Sequence, residues 1–190
     1  MTEKLKESDY EDAAFLIGCD VAAVKAVAEV ESRGDGFLAD GRPKILFEGH
    51  WFYKFTKGKH SESHPTICYP KWTSKYYLGG EKEYQRFEEA LGLDRNAALL
   101  SASYGKFQVM GFNYAICGYS SVEEFFQAMN RSEGDHLHSF CAYVKHNGLS
   151  DELRDHRWAD FARGYNGDEY WKNKYDKKMA AAYEKYAQNV

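Results

Sequence analysis

Glu31 is the residue of this chain best placed to handle a proton. It closes the run Asp20-Val21-Ala22-Ala23-Val24-Lys25-Ala26-Val27-Ala28-Glu29-Val30-Glu31. Val21, Val24, Val27 and Ala28 recur there at helical spacing, behind Asp20, a residue type that caps helix N-termini, and ahead of Gly34. Lying one turn after Val27 and Ala28, Glu31 continues the apolar stripe, whereas Glu29 does not. A carboxyl delivered to a partly apolar place by a buried helix face has a raised pKa, because desolvation disfavours its charged form. A general acid working near neutral pH requires that. The alternative is a boundary glutamate turned to solvent or paired with Arg33.

A second carboxylate is Glu48, within Pro43-Lys44-Ile45-Leu46-Phe47-Glu48-Gly49-His50-Trp51-Phe52, which reads as strand. Side chains alternate along a strand, so Glu48 shares a face with Leu46, His50 and Phe52. A carboxylate among such neighbours is costly without a task or a partner. The competing explanation is an exposed pair with Arg42 or Lys44. Asp35 and Asp40, in the glycine-bordered turn over residues 34–41, are rivals for the same role, since a loop carboxylate also reaches a cleft. His50 either orients Glu48 or fills the strand face. His60, His64 and Cys68 are evenly spaced in a way that suggests zinc. Pro65 breaks any helix that would align them, and neither HExxH nor CxxC accompanies them. The expectation is no metal and no cofactor.

The elements that must hold these groups are mainly helical. Residues 8–17 read as a first short helix and residues 21–31 as the second. The stretch 54–80, with Pro65, Pro70, Gly58, Gly79 and Gly80 and no periodicity, reads as a long loop of the length that tends to be functional or mobile. Helical periodicity returns at Tyr84, Phe87, Glu88 and Leu91 and again over residues 97–102. Ser120 and Ser121, with Glu123 and Glu124 three residues on, start a capped helix through Met129. Further helices are predicted over residues 134–146, 155–163 and 168–188. The last carries Trp171, Tyr175, Met179, Tyr183 and Tyr186 on one side and lysines mainly elsewhere. That pattern packs an aromatic face on the core, and a basic amphipathic end also suits contact with anionic outer-membrane lipid.

Composition limits the function classes. A chain of 190 residues, 44% hydrophobic and 28% charged, is long enough for one sizeable core and reads as a single domain over residues 1–190. A net charge of −4 and the lack of a basic motif argue against nucleic acid as a partner. Cys19, Cys68, Cys117 and Cys141 are far apart and suit free thiols rather than a disulfide framework. The polar start, Met1-Thr2-Glu3-Lys4-Leu5-Lys6-Glu7-Ser8-Asp9, has no apolar region that would export the chain, and no stretch approaches a membrane span. The 16% aromatic share suits either a cleft that stacks on ring-shaped ligands or a large core.

Three short motifs occur in order: Glu31-Ser32, then Ser103-Tyr104-Gly105-Lys106-Phe107-Gln108-Val109-Met110-Gly111, then Phe161-Ala162-Arg163-Gly164-Tyr165-Asn166-Gly167. Together they resemble the goose-type lysozymes and soluble lytic transglycosylases, although Gly164 stands where those proteins usually have alanine. The fuller set, V-E-S-R-G-x-G-F, G-R-P-K-I-L-F-E-G-H-W-F, G-K-F-Q-V-M-G-F-N-Y and Y-N-G-x-x-Y, is similar to the phage-type N-acetylmuramidases, single-domain endolysins that cut peptidoglycan. It extends over roughly residues 10–187.

The resemblance implies a mainly α, lysozyme-like helical domain with a small β element near residues 43–53 and no separate wall-binding module. It implies hydrolysis of the glycosidic bond between N-acetylmuramic acid and N-acetylglucosamine, with Glu31 as catalytic acid. Such hydrolysis usually needs a second carboxylate, for which Glu48 is the first choice. Gln108 sits in a glycine-bordered turn where its amide can donate to and accept from sugar groups. Tyr165 and Asn166 hold the acid or the N-acetyl group, and Tyr104 and His50 complete the expected substrate contacts. Implied partners are glycan strands and a holin, for a monomer made in the host cytoplasm and acting on the wall from the periplasm. The rivals are a lytic transglycosylase, which needs only the acid, a zinc amidase, and a non-catalytic wall-binding protein.

Overall fold

The computed structural model describes residues 3–32 and 34–188. Helix α1 (Glu7–Ile17) ends at Gly18, whose φ of 82° is left-handed, and helix α2 (Val21–Glu31) starts where Asp20 accepts the Ala23 N–H at 2.9 Å. Both follow the spacing of the sequence. Ala22, Ala23, Val24, Ala26, Val27 and Ala28 of α2 are all buried. Alanine is the best helix former and its small side chain lets neighbours approach from several sides. Those neighbours are α1, α8 (Ser150–Arg154) and α10 (Tyr175–Ala187). Arg33, and with it the alternative Glu31–Arg33 pair, lies outside the described residues.

A small antiparallel sheet runs β1 (Ile45–Phe47), β2 (Ala102–Tyr104), β3 (Val109–Met110), with Ile45 opposite Tyr104 and Ser103 opposite Met110. The strand predicted over residues 43–52 ends at Phe47. After Glu48 the chain turns into helix α3 (Gly49–Phe55). Trp51 stacks on Phe55 at 5.8 Å, one helical turn on, and Phe52 is fully buried. A short run of aromatic and apolar residues suits either period, and tertiary packing decided for the helix. Glu48 therefore does not share a strand face with Leu46 and Phe52; it is the residue at which strand becomes helix.

Helices α4 (Glu83–Leu93) and α5 (Arg95–Leu100) follow the long loop. The helix predicted over 97–102 stops at Leu100, because Ala102 joins β2 opposite Phe47. Ser121 caps α6 (Val122–Met129), accepting the Glu124 N–H at 3.1 Å, and Ser132 caps α7 (Glu133–His146). The helix predicted over 155–163 is displaced: α8 ends at Arg154, and α9 spans Trp158–Asn166. The one predicted over 168–188 is broken by a 3-10 turn at Tyr170–Asn173 and by Lys174 at φ 55°, before α10. Trp171 is thus not on the aromatic face of α10.

The aromatic share of the sequence largely serves the core, where Phe47, Phe52, Phe87, Tyr104, Phe125 and Phe140 are at most 1% exposed. Two buried ionic anchors hold loops onto this core. In the first, Glu83 and Arg86 of α4 pair while Glu83 accepts the N–H groups of Phe47, Leu78 and Gly79, and Arg86 donates to the carbonyls of Phe47 and Thr66. In the second, Glu133 at the start of α7 accepts the Gly36 N–H at 2.7 Å and the Leu5 N–H at 3.3 Å, with Lys106 Nζ at 3.5 Å. One turn along, His136 accepts the Lys106 N–H at Nδ1 and approaches the Met129 carbonyl through Nε2 at 2.8 Å. Its ring fits only because residues 36 and 105 are glycines, since a Cβ there would lie 2.5 Å and 2.6 Å from Nδ1. The four cysteines are free, and among the described residues no helix is long and apolar enough to cross a membrane.

Candidate active site

Glu31 is the last residue of α2. It lines a hollow of about 240 Å³ with Ser32, Phe107, Gln108, Asn166 and Tyr175. Asn166, the last residue of α9, donates its side-chain N–H to Glu31 Oε1 at 2.8 Å across 135 positions of sequence. An amide donor fixes the carboxyl's orientation. Beside it Tyr165 packs against Phe140, Tyr143 and Phe161. Burial, followed by the neighbouring Glu31 charge, drives the Tyr165 phenol far above the ordinary tyrosine value, so it stays protonated. Gly164, the departure from the goose-type pattern, lies where a Cβ would meet Leu149 Cδ2 at 2.4 Å. The leucine side chain occupies the room an alanine would use.

Gln108 stands at the centre of the site, in an unusual left-handed conformation with φ 51°. It lines three adjoining hollows: that of Glu31, one of about 200 Å³ with Met110, Asn113, Tyr143 and Tyr165, and one of about 330 Å³ with Leu46, Gly79 and Gly80. With Gln108 as their common wall, the three together are the candidate groove. Its amide, however, is committed: Nε2 donates to the carbonyls of Gly105 at 2.8 Å and Lys44 at 3.2 Å, and Oε1 accepts from Ser103 at 2.9 Å. Both N–H donors are spent on joining the β2–β3 turn to the segment before β1, so the donor role expected of Gln108 toward a sugar is corrected to a positioning role. What remains for a ligand is acceptor capacity on Oε1.

Glu48, its side chain 13% exposed, accepts the Tyr77 hydroxyl on Oε2 at 2.7 Å. Burial and then this bond push the Tyr77 phenol well above its ordinary value. His50 Nδ1 lies 3.3 Å from the same oxygen at an angle that makes no hydrogen bond, and among the described residues this buried nitrogen has no hydrogen-bond partner. His50 thus sits beside Glu48, though by a helical turn rather than strand alternation. The competing pair of Glu48 with Arg42 or Lys44 is absent among the described residues. Arg42 instead binds Asp40 at 2.7 Å and Glu88 at 3.4 Å. Asp40 is therefore committed to Arg42, which holds its carboxyl below the usual range, as Lys4 does for the exposed Asp35.

Tyr104 is corrected from substrate contact to core: it is 0% exposed and its hydroxyl donates to the Leu99 carbonyl. His60 stacks on Phe52, His64 bonds Ser63, and Cys68 is buried near Thr56, so each has other company than a metal. Among the described residues no group of three His, Cys, Asp or Glu side chains is arranged to hold a metal ion. A wider hollow of about 410 Å³ lies elsewhere between α1 and α7, beside Asp9, Asp12, Phe15, His138 and Lys145. Tyr77, Glu133 and His136 were not singled out by sequence reasoning, and Tyr175 only as part of the aromatic face of the last helix. Tyr77 lies in an aperiodic loop, and the others resemble ordinary helix residues.

Comparison with curated proteins gives no match. A crystal structure of the Burkholderia AP3 phage endolysin superposes with a TM-score of 0.92 at 38% identity, over 98% of this chain and 72% of that one. The chain shares that protein's lysozyme-like helical fold. The family model for N-acetylmuramidase matches residues 20–187, a span that includes Glu31, Glu48, Gln108 and Asn166. The chain belongs to the N-acetylmuramidase family.

Proposed function

We propose that the chain is a phage endolysin that hydrolyses the peptidoglycan bond between N-acetylmuramic acid and N-acetylglucosamine, with Glu31 as general acid. The observation that carries this reading is the Asn166–Glu31 hydrogen bond at the wall of the groove. It presents one carboxyl, oriented and partly shielded, to a hollow whose lining includes Gln108, Tyr165 and Tyr175. The acid protonates the leaving oxygen as the bond to the anomeric carbon lengthens and positive charge spreads over the sugar ring. Glu48 is the second carboxylate. Its Tyr77 bond and its His50 neighbour both engage Oε2, and Oε1 activates the water or faces the developing cation. Access to the wall depends on a holin that permeabilises the inner membrane, after synthesis in the host cytoplasm.

Two measurements on purified peptidoglycan test this. Glu31→Gln is expected to lower turnover by roughly 10²- to 10⁴-fold, the usual worth of a positioned acid, with the melting temperature nearly unchanged. A variant within a few fold of wild type would remove Glu31 from the role. Mass analysis of the released muropeptides is expected to show reducing ends that carry the added water. Products lighter by that water, 1,6-anhydro sugars, would assign a lytic transglycosylase instead.

A further inference from the structure

Large apolar side chains left in water need a reason when they cluster on an anchored segment beside a functional groove. Trp72 is 65% exposed and Leu78 47% exposed, both on the loop that reaches Glu48. This loop is fixed from below. Glu83 holds the N–H groups of Leu78 and Gly79, Arg86 reaches the Thr66 carbonyl and the Tyr69 hydroxyl, and Tyr69 packs on Tyr76 at 5.2 Å. The indole of Trp72 stands at the Tyr77 hydroxyl, which itself donates to Glu48. The polar edge of the indole is therefore turned to the protein while much of the side chain remains in water. Immediately after Leu78 come Gly79 and Gly80, whose bare backbone lines the same hollow as Gln108.

Hollows that share Gln108 thus run from Glu31 to Gly79 and Gly80, and the exposed Trp72 lies earlier on the loop that carries these glycines, against the Tyr77 hydroxyl that bonds Glu48. An aromatic ring held in place and left open to water suits the flat apolar C–H face of a pyranose, with little ordering to be done on binding. We propose that Trp72 is a stacking platform for an N-acetylhexosamine ring of the glycan, on the Glu48 side of the groove. Tyr77 is its link to Glu48, so a sugar seated on the indole also fixes the loop that holds the carboxylate. The inference rests on the glycan-cleaving reading of the groove and adds to it where an outlying sugar binds.

The test separates the two. The chain carrying Glu31→Gln is titrated with N-acetylglucosamine hexasaccharide by calorimetry, so that binding is read without turnover. Adding Trp72→Ala is expected to weaken the Kd at least tenfold, Trp72→Phe to stay within about threefold, and Phe15→Ala, an exposed aromatic on α1 away from the groove, to change nothing. In the otherwise wild-type enzyme Trp72→Ala is expected to raise KM with kcat within about twofold, at an unchanged melting temperature. Hexasaccharide binding equal with and without Trp72 overturns the platform and leaves the role of Glu31 standing. Full turnover by Glu31→Gln overturns the catalytic reading whatever Trp72 does.

Discussion

Glu31 stands on the last turn of a helix buried on most of its surface, whereas Glu48 stands between a three-residue strand and a short helix, in a turn that repeats nothing. The first carboxyl is delivered by regular structure and is bonded by a distant side chain, Asn166. The second is delivered by irregular structure and depends on a loop, through Tyr77, which in turn depends on the buried Glu83–Arg86 pair. The lesson concerns stiffness. A carboxyl on a packed helix inherits the rigidity of the core, while one on a turn must have rigidity supplied by buried polar contacts.

The Glu48 side should accordingly be the easier to damage from a distance. Arg86→Met leaves Glu83 charged and unpaired in the interior, for which the expected cost is about 3–5 kcal/mol of folding stability, read from denaturant midpoints. The amides of Leu78 and Gly79 are expected to lose hydrogen-exchange protection ahead of those in α2. A loss under about 1 kcal/mol, the range of a surface pair, would show that the loop is held by other means and would dissolve the contrast.

The contrast also explains what could be read from residues alone. The α2 stripe, the Asp20 cap and the Ser121 cap are local signals, each settled within a few positions, and the structure follows them. The strand assigned through Phe52 failed because Trp51, Phe52 and Phe55 fit a helix equally well, and only packing against Phe47 and the long loop decided between the two. Gln108 was visible as a residue of the groove, but not its commitment to Lys44 and Gly105, which needs the sheet to exist first. Tyr104 carries no mark in sequence that separates a cleft tyrosine from a core one. Glu133 and Glu83 look like helix surface glutamates, and their burial is fixed by chain segments tens of residues away.

Asn166→Ala tests the Asn166 contact to Glu31. A hydrogen bond to a charged group contributes about 1.5–3 kcal/mol, so kcat on peptidoglycan is expected to fall roughly tenfold to a hundredfold, with folding little affected because α2 is held by its own packing. The same rate as wild type would mean that Glu31 does not depend on Asn166 for its orientation.

Acid should act on the Glu31 side through Glu133 and His136. Burial, against the opposing pull of the Met129 bond, keeps His136 below its ordinary value of 6.5. Burial would raise Glu133 above 4.5, but the Gly36 N–H, Lys106, the Leu5 N–H and Lys4 outweigh it and the net direction is down. The folded state thus takes up protons later than the unfolded one at both sites. The stabilisation is complete above about 6.5 for His136 and above about 4.5 for Glu133, and is lost as pH falls below those values. Melting temperature is expected to decline from about pH 6.5 downward, with exchange at the Gly36 and Lys106 amides rising before that at Leu78 and Gly79. A flat profile between pH 7.5 and 5 would show that this hub does not limit stability.

Tyr77→Phe should have the smallest effect, and the reason lies in the neighbour of Glu48. Removing the hydroxyl takes one donor from Oε2 and would ordinarily cost about 1.5–3 kcal/mol at a charged acceptor. His50 Nδ1, already 3.3 Å from that oxygen and without a hydrogen bond of its own, needs only a small ring rotation to replace it. The expected loss in kcat is therefore only about three- to fivefold, which corresponds to about 1 kcal/mol or less. His50→Ala alone should cost equally little, since Tyr77 remains. The double variant has no substitute on either side, so its loss should exceed the product of the two single losses by about fivefold or more, a coupling that independent sites do not show. Additive losses would mean that the two side chains serve Glu48 separately, and the Glu48 side would then be no more dependent on its loop than Glu31 is on Asn166.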